Sequence, residues 1–164
     1  GLPLGQVETS EPEPPVTDDN LPLVSEYVHP HPGSYVTQKY STPHPGVDYG
    51  TFGVSQPVLA LHACKVMFVG WIDYYTDQRS VEWWVAGNTI TCEGVTPQGD
   101  RIWTVYAHGT DDSFAVSEGD VVAAGTKLML SGKTGGPTVT GVHLHLGMKV
   151  NDHWVDPQIY VPGD

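Results

Sequence analysis

The stretch Gly141-Val142-His143-Leu144-His145-Leu146-Gly147-Met148-Lys149-Val150 decides how the chain is read. At a period of two, Val142, Leu144, Leu146, Met148 and Val150 fall on one side, and His143, His145, Gly147 and Lys149 on the other. Successive side chains of a β-strand point to opposite faces. The spacing therefore predicts a strand with one apolar face committed to a core. The other face presents two imidazoles that point the same way. Such a pair can hold a metal ion or move a proton. Taken alone it also fits two exposed histidines with no task, because short motifs recur by chance.

The neighbouring segments read the same way. Lys127 to Ser131 is a strand, and Gly132 to Gly141 is a Gly/Thr/Pro loop leading into the histidine strand. Arg101 to His108 alternates, with Ile102, Thr104, Tyr106 and His108 on one face and Trp103, Val105 and Ala107 on the other. At the end of that strand, His108 reads by itself as a hydrogen-bonded structural histidine. Thr96-Pro97-Gln98-Gly99-Asp100 is a hairpin turn. Val81 to Cys92 has strand character, with a bulge or turn at Gly87-Asn88. Val58 to Trp71 is one strand or two bent ones, with Gly70 as the break. In Pro43-His44-Pro45-Gly46-Val47-Asp48, two Pro and a Gly exclude a regular helix. That segment is either an ordinary turn or a compact loop that folds His44 and Asp48 toward one point.

With 19 Gly and 14 Pro in 164 residues, and no amphipathic helix, the fold class is all-β. Residues 1–32 read as an acidic, Pro-rich tail or linker, and residues 33–164 as the folded domain. Six acidic residues and no basic one precede Tyr27, a composition that favours extended chain over a core. His29 and His31 read as solvated linker histidines. The opening Gly1-Leu2-Pro3-Leu4-Gly5 shows no signal peptide and is expected to be a processed or trimmed end.

Seven Lys+Arg against 19 Asp+Glu leave a net charge of -12, which excludes the basic footprint of a nucleic-acid binder and a polybasic membrane patch. No apolar run is long enough to span a bilayer. A monomer is expected. Cys64 and Cys92 lack zinc-ribbon spacing and are either a disulfide or two buried thiols. Both fall in predicted strands that can be neighbours, and paired strands bring Cα atoms within disulfide range.

The chemistry-bearing candidates are His44, Asp48, His108, His143 and His145. A catalytic zinc site takes three His, Asp or Glu ligands and keeps a fourth position open. Two His and one Asp satisfy it and leave two histidines for proton transfer. The helical H-E-x-x-H and the G-x-S-x-G elbow are both absent.

In order, His44-Pro45-Gly46-Val47-Asp48, Tyr106-Ala107-His108 and His143-Leu144-His145 resemble the motifs of the lysostaphin-type zinc metallopeptidases, which cut peptide bonds in peptidoglycan. Glu118-Gly119-Asp120-Val121-Val122-Ala123-Ala124-Gly125 and Val155-Asp156-Pro157 resemble that family's hinge and C-terminal signature. The likeness covers roughly residues 34 to 161. It implies one Zn2+ held by His44, Asp48 and His145, with His108 and His143 as the catalytic pair. It further implies a compact antiparallel sheet with a substrate groove flanked by loops, and a peptidoglycan peptide, cross-bridge or stem, as substrate. The location implied is extracellular and wall-acting, whether by secretion or by phage delivery. Three features depart from the family pattern. Gly109 stands where a Leu is usual and Val142 where a Pro is common, and a long aromatic segment from Trp71 to Gly87 is expected to enlarge a groove wall.

Two rival readings fit parts of the same pattern. One is a metal-free, regulatory or wall-binding member of the same fold. The other is a biotinyl or lipoyl carrier domain, suggested by the stretch from Glu118 to Gly125. A carrier needs its Lys at a tight turn, and Met148-Lys149-Val150 lies inside the histidine strand.

Overall fold

The histidine stretch folds as a strand in the middle of the sheet. The computed structural model describes residues 13–17, 20–72, 86–136 and 139–164. Within them the chain forms β1 (Tyr35–Gln38), β2 (Val47–Gly50), β3 (Pro57–Leu59), β4 (Cys64–Ile72), β5 (Gly87–Val95), β6 (Arg101–Gly109), β7 (Val121–Val122), β8 (Lys127–Leu130), β9 (His143–Val150) and β10 (His153–Val155). No α-helix occurs among the described residues, so the protein is all-β. The main sheet runs β1-β2-β9-β6-β5-β4-β7, with β10 also pairing with β9, and every pairing is antiparallel. β3 and β8 form a second, two-stranded sheet.

The core lies under one face of β9. Leu144, Leu146 and Met148 are fully buried there with Tyr49, Ile90, Ile102 and Tyr106. Val58, Leu128 and Met129 of the small sheet close the same cluster. Each such side chain contributes roughly 1.5–3 kcal/mol by leaving water. On the opposite face, Gly147 and Lys149 of β9 lie beside a smaller patch formed by Trp103, Val105 and Ala107 of β6 with Trp154. The alternation read from the sequence is thus the division between core and site.

The break expected at Gly70 falls elsewhere. Gly70 stays within β4, paired with Thr89, and its missing Cβ admits the Phe68 ring, whose Cζ would lie 3.1 Å away. The chain leaves the small sheet at Ala60 to Ala63 instead. There Leu61 N–H donates to Tyr106 Oη at 3.0 Å, and His62 is buried with Nε2 2.9 Å from Thr104 Oγ1. The expected hairpin turn is present: Thr96 N–H bonds to Asp100 O at 2.9 Å, and Gly99 takes φ +94°.

Residues 20–32 correct the expectation that this segment packs on nothing. Leu21, Val24 and His31 are buried. Val24 N–H bonds to Val95 O, Val28 N–H to Leu61 O, and Leu59 N–H to Pro30 O, each at 2.8 Å. Gly94 makes room, since a Cβ there would lie 2.6 Å from Val24 Cγ2. His31, read as a solvated linker histidine, has no exposed surface, and His29 sits 3.2 Å from Asp164 Oδ1. Composition averaged over the whole segment concealed a few apolar side chains that reach the core. Of the aromatic segment, Tyr74, Tyr75, Trp83 and Trp84 lie outside the described residues, and Trp71 is exposed at the end of β4.

Cys64 of β4 and Cys92 of β5 are disulfide-bonded, with Cα atoms 5.4 Å apart. Closing a loop of 28 residues stabilises the fold by about 3–4 kcal/mol in the chain-entropy account. Thiol titration of denatured, unreduced protein should read close to zero. Leu21→Ala should cost about 2–4 kcal/mol in denaturant unfolding.

Candidate metal centre

The register of β2 against β9 builds the centre. Asp48 and His145 are directly paired residues, so their side chains leave the sheet on the same face, side by side. Asp48 Oδ1 lies 2.8 Å from His145 Nδ1. His44 arrives from the tight turn before β2, closed by two hydrogen bonds between Ser41 and His44, and its Nε2 lies 3.2 Å from Asp48 Oδ2. His44 Nδ1 donates to Lys39 O at 3.2 Å, so Nε2 is the nitrogen that faces Asp48 and that, once deprotonated, can bind a cation. The turn can lie this close because residue 46 is glycine. A Cβ there would sit 2.6 Å from His145 Nε2.

One ligand atom from each of His44, Asp48 and His145 falls within 4.8 Å of the others, and all three residues are largely withdrawn from solvent. Two imidazole nitrogens and a carboxylate oxygen at this separation suit a tetrahedral divalent cation with one position left open. Burial pushes the Asp48 carboxyl up, but hydrogen bonds from His145 and His44 outweigh it and hold the group well below the usual carboxylate range. Burial also lowers His145, outweighing the pull of Asp48. For His44 the balance is reversed: burial lowers it, yet the hydrogen bond and charge of Asp48 leave it raised.

His143 and His108 complete the cluster. His143 Nε2 is 3.8 Å from Asp48 Oδ2, and its Nδ1 donates to Gly141 O at 2.8 Å. The His108 ring centroid is 4.8 Å from that of His143 and 6.1 Å from that of His145. Strict alternation put His108 on the face of Tyr106, and the structure corrects this. Between the pairs Asn88↔Gly109 and Ile90↔Tyr106, β6 advances three residues while β5 advances two. That bulge, with His108 at φ +66°, turns its side chain to the histidine face. Burial, then the charges of His145 and His143, push His108 down to about 3. All five residues singled out from the sequence therefore lie together.

Sequence reasoning missed Gly46 against His145, and Thr134, whose carbonyl accepts from His108 Nδ1 at 2.8 Å. A cleft of about 440 Å³ opens from Asp48 and His143 toward Tyr35, Gly50, Phe52 and Val142; a groove was expected, but not these residues as its wall. Tyr35 and Phe52 are exposed on its wall, with ring centroids 4.6 Å apart. Tyr35 and Gly50 are paired residues of β1 and β2, a juxtaposition no local pattern announces.

Sheet and cluster together define a β-protein with a His–Asp–His metal-binding group set in an open groove. The sequence profile of peptidase family M23 matches residues 42–157, and the chain belongs to that family. Among solved structures it is similar to a putative M23 peptidase from Pseudomonas aeruginosa, at 25% identity and TM-score 0.65, over 85% of this chain and 52% of that one. It is similar to the catalytic domain of the antimicrobial peptidase lysostaphin from Staphylococcus simulans, at 29% identity and TM-score 0.55, over 77% of this chain and 88% of that domain. A zinc-containing peptidase from Vibrio cholerae matches at 26% identity and TM-score 0.52, over 87% of this chain and 37% of that one. The chain thus spans about half or less of the Pseudomonas and Vibrio proteins. No curated protein matches the sequence.

Metal binding must displace the proton that His44 holds above its ordinary value of 6.5. Zinc affinity, measured by chelator competition, should therefore be full well above that value and fall as pH is lowered through it.

Proposed function

We propose that the chain is a zinc-dependent endopeptidase that hydrolyses a peptide bond of bacterial peptidoglycan, in the cross-bridge or the stem. The observation that carries this reading is the three-ligand group with two further imidazoles on the same face. His44, Asp48 and His145 would hold the ion. Bound there, zinc supplies a Lewis acid that polarises a carbonyl and lowers the pKa of water to about 7.

The remaining work falls to the chain's own side chains. Asp48 stays ionised under its hydrogen bonds and balances the cation's charge. His108 and His143 each donate Nδ1–H to a backbone carbonyl, which directs proton exchange to Nε2. One of them takes a proton from the attacking water and passes it to the amine nitrogen as the C–N bond breaks. The other orients the water or stabilises the oxyanion. Such proton transfer is worth about 10²- to 10⁴-fold. The cleft beyond Asp48 offers the peptide a path along Gly50 and Gly141, against Tyr35 and Phe52.

The disulfide supports an extracytoplasmic, wall-facing location, since such bonds persist in oxidising compartments. No helix among the described residues is long and apolar enough to cross a membrane.

The two sets of histidines should separate by measurement. His44→Ala, Asp48→Ala and His145→Ala should lose both zinc, by elemental analysis, and dye release from labelled peptidoglycan. His108→Ala and His143→Ala should retain near-stoichiometric zinc and lose about 10²-fold or more in turnover. Full zinc in His145→Ala with an empty site in His143→Ala would reverse the roles. A zinc-loaded wild type that solubilises no wall would remove the substrate assignment.

A further inference from the structure

Thr134 lies in the loop that joins β8 to β9, far in sequence from the residues it holds. Its carbonyl accepts from His108 Nδ1 at 2.8 Å. Its hydroxyl donates to Gly109 O at 2.7 Å and accepts from Asn88 N–H at 3.1 Å. Gly109 follows His108 on the bulge, and Asn88 faces Gly109 across β5 and β6. Asn88 adds two bonds of its own, from Nδ2 to Gly109 O at 3.0 Å and to Asp111 Oδ1 at 2.8 Å. Gly87 is needed beside them: a Cβ there would lie 2.6 Å from the Thr134 carbonyl carbon.

These contacts have one chemical consequence. A carbonyl oxygen can only accept, so the bond from His108 requires the proton on Nδ1 and leaves a lone pair on Nε2. The carbonyl stays in place because the hydroxyl of the same residue is tied to both strands of the bulge. A left-handed non-glycine residue such as His108 is costly and persists only where its surroundings over-determine it.

We propose that Thr134 is a positioning residue for His108: its carbonyl selects the Nδ1–H tautomer and its hydroxyl anchors that carbonyl to the bulge. The proposal rests on the reading of His108 as a proton-handling group. It adds that the loop before β9 controls which nitrogen carries the proton.

The test uses the full chain labelled with ¹⁵N-histidine, with and without zinc, and the variants Thr134→Val and Thr134→Ser. Wild type should show His108 with a protonated Nδ1 and an unprotonated Nε2. Thr134→Val, nearly the same shape without the hydroxyl, should show a mixture of tautomers. It should also lose about 10²-fold in kcat with KM and zinc content unchanged. Thr134→Ser should restore both the tautomer and the rate. A wild-type His108 protonated on Nε2 would overturn the proposal without any variant. So would a Thr134→Val protein with the wild-type tautomer, or a Thr134→Ser protein as impaired as Thr134→Val. The spectra decide the proposal even where no wall peptide is hydrolysed, so its failure and that of the proposed function are separable.

Discussion

A carboxylate buried among imidazoles is the interaction on which the rest depends. Withdrawing Asp48 from water costs several kcal/mol unless its oxygens are met by good partners. His145 and His44 meet them at 2.8 and 3.2 Å. That meeting requires Asp48 and His145 to be opposite one another, which is a matter of register between β2 and β9. The register is set on the other face of the sheet, where Val47, Tyr49, Leu144 and Leu146 are fully buried. A slip of one residue would bring the histidines into the core and the leucines into the groove. The core thus fixes the metal centre through the shared backbone, without touching it.

The groove wall shows a second economy. Strands on either side of β9 carry small or absent side chains where the imidazoles need space, as at Ala107 opposite His145 and Gly50 opposite His143. The disulfide between β4 and β5 and the N-terminal segment bonded along Val95 and Leu61 brace the sheet beyond the site. At the bulge, Asn88 and Thr134 surround the left-handed His108 with hydrogen bonds.

Much of this was legible in the chain. Alternation from Val142 to Val150 gave the central strand and its two faces. Thr96 to Asp100 gave a hairpin, and the Pro and Gly residues around His44 gave a compact turn. Those signals are local, because side-chain direction in a strand and φ at Pro and Gly depend on the residue and its immediate neighbours. The identities of the five site residues were legible for the same reason: metal and proton chemistry restricts the residue types.

What the sequence could not supply was whatever depends on partners distant in the chain. The packing of Leu21, Val24 and His31 depends on gaps such as the one at Gly94. The break at Ala60 to Ala63, not at Gly70, depends on Tyr106 Oη receiving Leu61 N–H. The side on which His108 points depends on a bulge held by Asn88 and Thr134, and alternation alone places it wrongly. The sequence by itself determined an all-β fold, its central strand and the candidate residues of the site, since these follow from local geometry and functional-group chemistry. Only the tertiary structure decided which of those residues face one another, because register, bulges and hydrogen bonds are fixed between strands that the chain itself keeps far apart.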